Sequence, residues 1–461
     1  MTIEKAIAEA IGKKPMALND YAELWLQWYK GNVAEFHNYN IYNGKKTITC
    51  ERKTLNMAKK ICEDWANLLL NEKTDISFGN DEQHENAQKL LNKVNFWVKG
   101  NEGVEKTFGL GAGAFVEGFD ENRKVRFQFV NRLKIYPITM EQDKITECAF
   151  VNVSSTTTTI QIHHKDSEGY YLITNLFYEK QQNDTSESIG LLNSERSSVT
   201  PTGDKNPWFQ LLKPNVANNL DINSPMGISV FANALDVLQG VDLAYDGFCE
   251  EMRLGKARIF VNKKLTQYDA DGERVIFDVD ETGFYYLGGG ENEDKQPVTF
   301  YNPALRTDSY FTGINNALNL LSSKVGFGEN HYRFDKGGIA TATQVVSENS
   351  EMFRTLKKHE IILNDVLIDA VKALMYISNN FTDDGYNFDL NENLEIKFDD
   401  SIIEDKETQK MADRQDVNLG VMSKAEYRAK WYNEDEETAK QKLAEIEEAN
   451  RSQSLNFFSE E

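Results

Sequence analysis

Asn223-Ser-Pro-Met-Gly-Ile-Ser-Val-Phe231, running on without a break to Gly255, is the stretch that decides the architecture. Ser224 before Pro225 reads as a helix start, with serine as N-cap and proline at the first helical position, where its missing N–H costs nothing. Beyond it Ile228, Phe231, Leu235, Leu238, Val241, Tyr245, Phe248 and Met252 recur at steps of three or four, and Gly255 supplies a stop. The spacing predicts a helix over 225–254, a rod of about 45 Å at 1.5 Å per residue. A different face carries Asp236, Gln239, Asp242, Asp246 and Glu250. Solvation is the usual fate of such a charged face. A rod this long must still bury its apolar side, and neighbouring copies in a ring would do that.

Downstream the period changes to two. Ala257–Val261, Val275–Val279, Phe284–Leu287 and Val298–Tyr301 read as short strands, punctuated by Asp269-Ala-Asp-Gly272 and Gly288-Gly-Gly290. A shorter helix, 308–325, keeps Phe311, Ile314, Leu318, Leu321 and Val325 in register. Helix, small β module and helix form an excursion: the chain runs out, builds something and returns. Residues 326–340 are a glycine-broken loop, and Thr341 with Gln344 forms a capping box opening a helix that reaches about Asn379. Leu394–Phe398 reads as a strand. The remainder is helical and acidic, with starts at Ser423 and Asn433 and with 19 acids against 10 bases over 391–461.

Upstream, helices are expected at Tyr21–Tyr29, Thr54–Leu70, Glu85–Lys99 and Glu102–Leu110, with a short strand at Asp75–Phe78. Between Ala114 and Tyr178 six segments alternate: Phe115–Phe119, Lys124–Val130, Lys134–Ile138, Ile145–Val153, Thr157–His163 and Tyr170–Tyr178. Residues 181–206 are polar and read as a loop. The fold class is α+β.

The 461 residues allow about three domains. With 51 Lys+Arg against 73 Asp+Glu the net charge is −22, which excludes a generally basic nucleic-acid clamp. A hydrophobic fraction of 40 % fills real cores and excludes wholesale disorder. Cys50, Cys62, Cys148 and Cys249 lie too far apart for a disulfide framework, so a reducing compartment is expected. No window approaches 18 uninterrupted apolar residues, and the N-terminus lacks the apolar run of a signal peptide.

Signatures of catalysis are missing: there is no GxxxxGK[ST], HExxH or GxSxG. Gly109-Leu-Gly-Ala-Gly113 invites a nucleotide-binding reading, but that fingerprint needs a strand before it and a helix after it, and the order here is reversed. A close-packed helix-to-strand turn is the plainer account. His163, His164 and Asp166 lack a third ligand at metal-site spacing and read as a polar strand end. Arg253, Lys256, Arg258, Lys263 and Lys264 cluster where the long helix ends. There a helix dipole favours cations as much as a polyanion would. In the glycine-broken loop, Glu329, Asn330, His331, Tyr332, Arg333, Phe334, Asp335 and Lys336 set two cations among aromatics, which suits either a floppy surface loop or a moving element that touches a polyanion.

Four stretches carry a resemblance. They are Trp28-Tyr-Lys-Gly31 with Phe36-His-Asn-Tyr39; Met57-Ala-Lys-Lys-Ile-Cys-Glu-Asp-Trp-Ala-Asn-Leu68; Asn223 to Phe231; and Val325-Gly-Phe-Gly328 through Thr341-Ala-Thr-Gln344. In their combination and order the chain resembles the portal proteins of tailed bacteriophages of Gram-positive hosts. The resemblance implies a ring, usually of twelve copies, at one capsid vertex, through which double-stranded DNA is packaged and ejected without sequence specificity. Residues 1–222 would be an α/β wing, 223–255 and 307–325 the two stem helices, and 256–306 a β-rich clip. Residues 326–340 would be the tunnel loop carrying Glu329 to Lys336, 341–388 a long kinked wing helix, and 389–461 a helical crown. It further implies a terminase, a major capsid or scaffolding protein and a head-completion adaptor as partners. No enzyme activity, cofactor or membrane is implied, and the location is the virion, after assembly in the host cytoplasm. Asp236, Asp242, Asp246 and Glu250 are then expected to face the channel or a neighbouring stem helix. The competing reading is an intracellular enzyme holding a nucleotide on the Gly109–Gly113 turn.

Overall fold

In the computed structural model the alternating region becomes antiparallel sheet, rich in β-branched and aromatic residues, and an inner strand of the larger sheet is buried on both faces, Ala149 and Val151 in one core cluster and Cys148 and Phe150 in another. The structure describes residues 2–18, 21–42, 44–78, 80–180, 189–262, 284–287, 298–334, 342–398, 406–432, 434–435 and 437–446. They form two compact units, one of residues 1–336 and 354–398, the other of 337–353 and 399–461.

The first unit opens with α1 (Ile3–Ile11), α2 (Ala22–Tyr29), α3 (Ala34–His37), a hairpin of β1 (Asn38–Tyr42) and β2 (Thr47–Glu51), and α4 (Met57–Leu69). There follow β3 (Asp75–Phe78), α5 (Asp81–Lys93) and α6 (Phe96–Leu110). Next come β4 (Gly113–Phe119), β5 (Val125–Asn131), β6 (Ile135–Glu141), β7 (Lys144–Val153), β8 (Thr157–Lys165) and β9 (Tyr171–Glu179). The polar stretch adds β10 (Leu191–Leu192) and β11 (Ser198–Pro201), both paired with β9, while 181–188 lie outside the described residues. β12 (Phe209–Leu212) joins β4 and β5 in a three-stranded sheet of order β12-β4-β5. The larger sheet runs β10-β9-β8-β7-β6. Ala6 and Ile7 of α1 cover one of its faces at Ala149, Val151, Ile160 and Ile162. α6 backs the smaller sheet through Phe96, whose ring stacks on Phe127 at 4.9 Å; Phe127 in turn stacks on Phe115 at 5.1 Å.

After these come α7 (Leu235–Leu254), then β13 (Arg258–Asn262), β14 (Phe284–Leu287) and β15 (Val298–Tyr301), then α8 (Thr307–Lys324) and α9 (Ala342–Phe381). β13 sits between a parallel β14 and an antiparallel β15; the expected strand Val275–Val279 lies outside the described residues. β16 (Leu394–Lys397) pairs antiparallel with β3. Residues 354–398, which include this strand, belong to the first unit. The second unit holds α10 (Lys406–Leu419) and α11 (Lys424–Tyr432). They are joined at Asp413, which accepts from Trp431 Nε1 and Lys430 Nζ, both at 2.7 Å. Ser423 and Glu426 form the expected capping box, each backbone N–H donating to the other's side chain. Asn433 lies outside the described residues.

One core position carries an electrostatic load. Glu117 of β4 is buried, neither carboxylate oxygen has a hydrogen-bond partner, and Asp369 of α9 lies within electrostatic reach. Burial first, and then Asp369, pushes its carboxyl well above the ordinary carboxylate range. A raised folded-state value means the native state holds a proton that the unfolded chain releases, so stability falls as pH rises above about 4.5, the ordinary value for glutamate. Glu117→Met is expected to stabilise the chain by about 1–3 kcal/mol at pH 7, and the gain should shrink toward pH 4 in urea titrations. A gain independent of pH would disprove the assignment.

Candidate functional site

The Ser224-Pro225 signal does not open a helix. Ser224 Oγ accepts from Met226 N–H at 3.3 Å in a turn, and α7 begins only at Leu235, giving 20 residues, about 30 Å of rod. The segment between is recruited by the glycine turn at the end of α6. Val230 N–H and Ser229 Oγ both donate to Phe108 O, at 3.0 and 3.1 Å, and Arg132 Nη1 donates to Gly227 O at 2.6 Å. Gly111 caps α6 at φ 79°. A Cβ there would stand 2.7 Å from the Ile228 carbonyl carbon, and one on Gly227 2.4 Å from Gly111 O. Backbone meeting backbone is why both positions lack a side chain. The same contact packs residues 227–229 against the turn, which favours the plainer account of it as a close-packed helix-to-strand turn.

α7 and α8 are an antiparallel hairpin around the β13–β15 module. Glu251 near the end of α7 accepts from Arg306 Nη2 at 2.7 Å and from its Nε at 3.1 Å. Phe248 meets Tyr310 and Phe311 edge-on at 6.2 and 5.7 Å. Leu238, Val241, Ile314, Leu318 and Leu321 fill the seam. Leu243, Met252, Phe311 and Leu320 are exposed, so the hairpin keeps an apolar exterior that its own chain leaves uncovered among the described residues.

The acidic positions of α7 divide. Asp236 is exposed and Glu250 holds Arg253 at 2.6 Å. Asp242 and Asp246 instead turn inward, only 4 % and 8 % exposed. Asp242 Oδ1 accepts Leu55 N–H at 2.9 Å, and its Oδ2 accepts Thr54 Oγ1 at 2.9 Å and His37 Nε2 at 3.2 Å. His37 Nδ1 accepts Val33 N–H at 2.8 Å, so the hydrogen it gives to Asp242 is on Nε2. Asp246 Oδ1 accepts Lys53 N–H at 2.9 Å. These two carboxylates are consumed in clasping 33–55 to α7, because the chain before α4 presents donors that nothing else satisfies. Both oxygens of Asp242 and one of Asp246 are thus engaged within the chain.

The glycine-broken loop is fastened over its first half. Phe327, fully buried, is sandwiched between Trp65 of α4 and His331, with ring centroids 4.3 Å away on each side. Trp65 Nε1 donates to Val325 O at 3.2 Å, and His359 of α9 meets the same indole edge-on at 5.2 Å. Burial drops the His359 imidazole to about 3, so it is neutral and its Nδ1 accepts Asn215 N–H at 3.0 Å. Tyr332 Oη donates to Asp64 Oδ2 at 2.8 Å, and burial, followed by the Asp64 carboxylate, pushes the phenol up. Asn330 and Phe334 N–H donate to Asn319 and Asn315 of α8. Glu329, His331, Arg333 and Phe334 are exposed, whereas Asp335 and Lys336 lie outside the described residues. A floppy surface loop therefore does not describe 326–334.

Of the basic cluster, Arg253 is held by Glu250, Arg258 Nη2 donates to Leu254 O at 3.3 Å, and Lys256 is exposed. Lys263 and Lys264 lie outside the described residues. His163 is a core residue, set edge-on to Phe150 and Phe209 and lowered to about 3 by burial, while His164 reaches Thr174. Among the described residues no group of His, Cys, Asp and Glu could hold a metal, and no helix is long and apolar enough to cross a membrane. Sequence reasoning missed the roles of His37, Thr54, Asp64 and Trp65, whose partners lie far along the chain.

No curated protein matches the chain. Among solved structures it is similar to a chain described as the neck of a native GTA particle computed with C12 symmetry, at 11 % identity and a TM-score of 0.44, covering 92 % of this chain and 97 % of that one. The family model for phage portal proteins of the SPP1 Gp6-like type matches residues 19–452. With the match spanning nearly its whole length, the chain belongs to the phage portal protein family.

Proposed function

We propose that the protein forms a ring, of twelve copies, at one vertex of a phage capsid and serves as the conduit for double-stranded DNA during packaging and ejection. The family match over 19–452 carries this reading. The α7–α8 hairpin is the stem, β13–β15 the clip that docks terminase and later a head-completion adaptor, and 326–340 the tunnel loop. A conduit must surround DNA without gripping it, because each neutralised phosphate adds salt-sensitive affinity. Twelve chains at −22 carry 12 × −22, or −264, and repel phosphate on average. Exposed Arg333 and Phe334 then supply the few contacts a moving duplex tolerates. The uncovered apolar side of the hairpin is buried against the next stem, the head-to-tail contact that closes a ring.

Mass photometry of the purified protein should show particles near 12 × 52.7 kDa, about 630 kDa, with a central hole in negative stain. A stable monomer at high concentration rejects the reading.

A further inference from the structure

Between the β4–β5 pair and residues 150–152, 159–161 and 175–177 of β7, β8 and β9 lies a cleft of about 610 Å³. Among the described residues its cations are Lys106, Arg126 and Lys134, and its one acidic lining residue is Glu117, whose carboxyl is buried and held toward its neutral form. Lys106 is paired with Glu102 at 2.9 Å. Among the described residues Arg126 and Lys134 meet only amides: Arg126 Nε reaches the Gln128 side-chain oxygen at 3.1 Å, and Lys134 Nζ donates to Asn152 Oδ1 at 3.2 Å. Two accessible cations without a carboxylate partner are unexpected on a chain with 22 excess acids, where counter-charges abound.

The backbone adds an independent observation. β5 is the outer strand of its sheet, bonded to β4 on one side alone. On the other side Lys99 Nζ donates to Phe127 O at 2.9 Å, and the rest of the edge has no backbone partner among the described residues. An open edge of this kind accepts an added strand, and the side chains beside it select what binds. Phe177 and Val130, both half-buried on the cleft walls, offer apolar contact to the residues between the charges.

We infer that this cleft receives an extended, carboxylate-bearing segment of a second copy, laid along β5 with its acids on Arg126 and Lys134. A nucleic-acid duplex has no backbone N–H or C=O row to offer a strand edge. The chain itself supplies abundant acidic segments at high local concentration once copies assemble. The inference rests on the ring reading and names a contact that would hold neighbouring wings in register.

The test is zero-length carbodiimide coupling of an assembled 1:1 mixture of ¹⁴N and ¹⁵N chains, read by mass spectrometry, alongside the variant R126E/K134E with circular dichroism as a folding control. Mixed-isotope peptides joining Lys134 or Lys106 to Asp or Glu are expected, and the folded variant should need at least tenfold more protein to assemble. Links at these lysines that are absent or purely within one isotope, while other lysines give mixed links, overturn the inference. So does a folded variant that assembles like wild type, or a duplex oligonucleotide that shields Lys134 from coupling. If wild type forms no ring, the ring reading falls by itself. The isotope mixture at high concentration then still decides the cleft, mixed links at Lys134 keeping it and their absence removing it.

Discussion

Asp242→Ala is expected to lower the unfolding free energy of the chain by about 3–5 kcal/mol, the range found when one partner of a buried charged contact is removed. The substitution orphans three donors at once: Leu55 N–H, Thr54 Oγ1 and His37 Nε2. His37 is shielded from water that could replace the lost acceptor, Thr54 and Leu55 are half-buried, and an unmade buried hydrogen bond costs more than a made one contributes. Asp242→Asn should fall between, because its amide keeps one acceptor and turns N–H groups toward the remaining donors. Asp236→Ala, on the exposed face of the same helix, should stay within about 0.5 kcal/mol. Urea midpoints followed by tryptophan fluorescence measure all three. Equal, small effects at Asp236 and Asp242 would mean that Asp242 is solvated, and would restore the uniform acidic stripe.

Phe327→Ala should cost a comparable amount, about 3–5 kcal/mol, because it removes a fully buried ring from between two others. The loop thereby separates into an anchor and a working part. Deleting 329–337 removes Tyr332, and with it the hydrogen bond to Asp64, so lost stability is expected from that deletion as well. Arg333→Ala with Phe334→Ala touches only exposed side chains. It should leave the melting temperature unchanged while reducing DNA packaged per head. Intact packaging in the double variant would remove both side chains from any role on the DNA.

How much of this was legible depended on range. The six strands between Gly113 and Glu179 followed from local alternation, and α8 and α9 from unbroken 3.6-residue periodicity. The β1–β2 hairpin escaped because its residues are exposed on both faces and carry no alternation to read. α7 was drawn ten residues too long because Ser-Pro is a local signal, and tertiary packing of 227–230 across the Gly111 turn outweighs it. The inward turn of Asp242 and Asp246 was hidden for the same reason. Periodicity places Asp242 and Asp246 on one face, but their donors lie 187 to 205 residues away, beyond any window. The fastening of the loop after α8 was likewise hidden in its distance from Asp64 and Trp65.

α4 has a mechanical consequence. Its lead-in at 53–55 grips α7 near mid-length through Asp242 and Asp246, and nine residues on, about 14 Å along the axis, Asp64 and Trp65 grip the chain just after α8 ends. One short splint thus ties the middle of α7 to the exit of α8. Sliding one helix of the hairpin along the other would strain both grips at once, so the pair is braced to move as a unit.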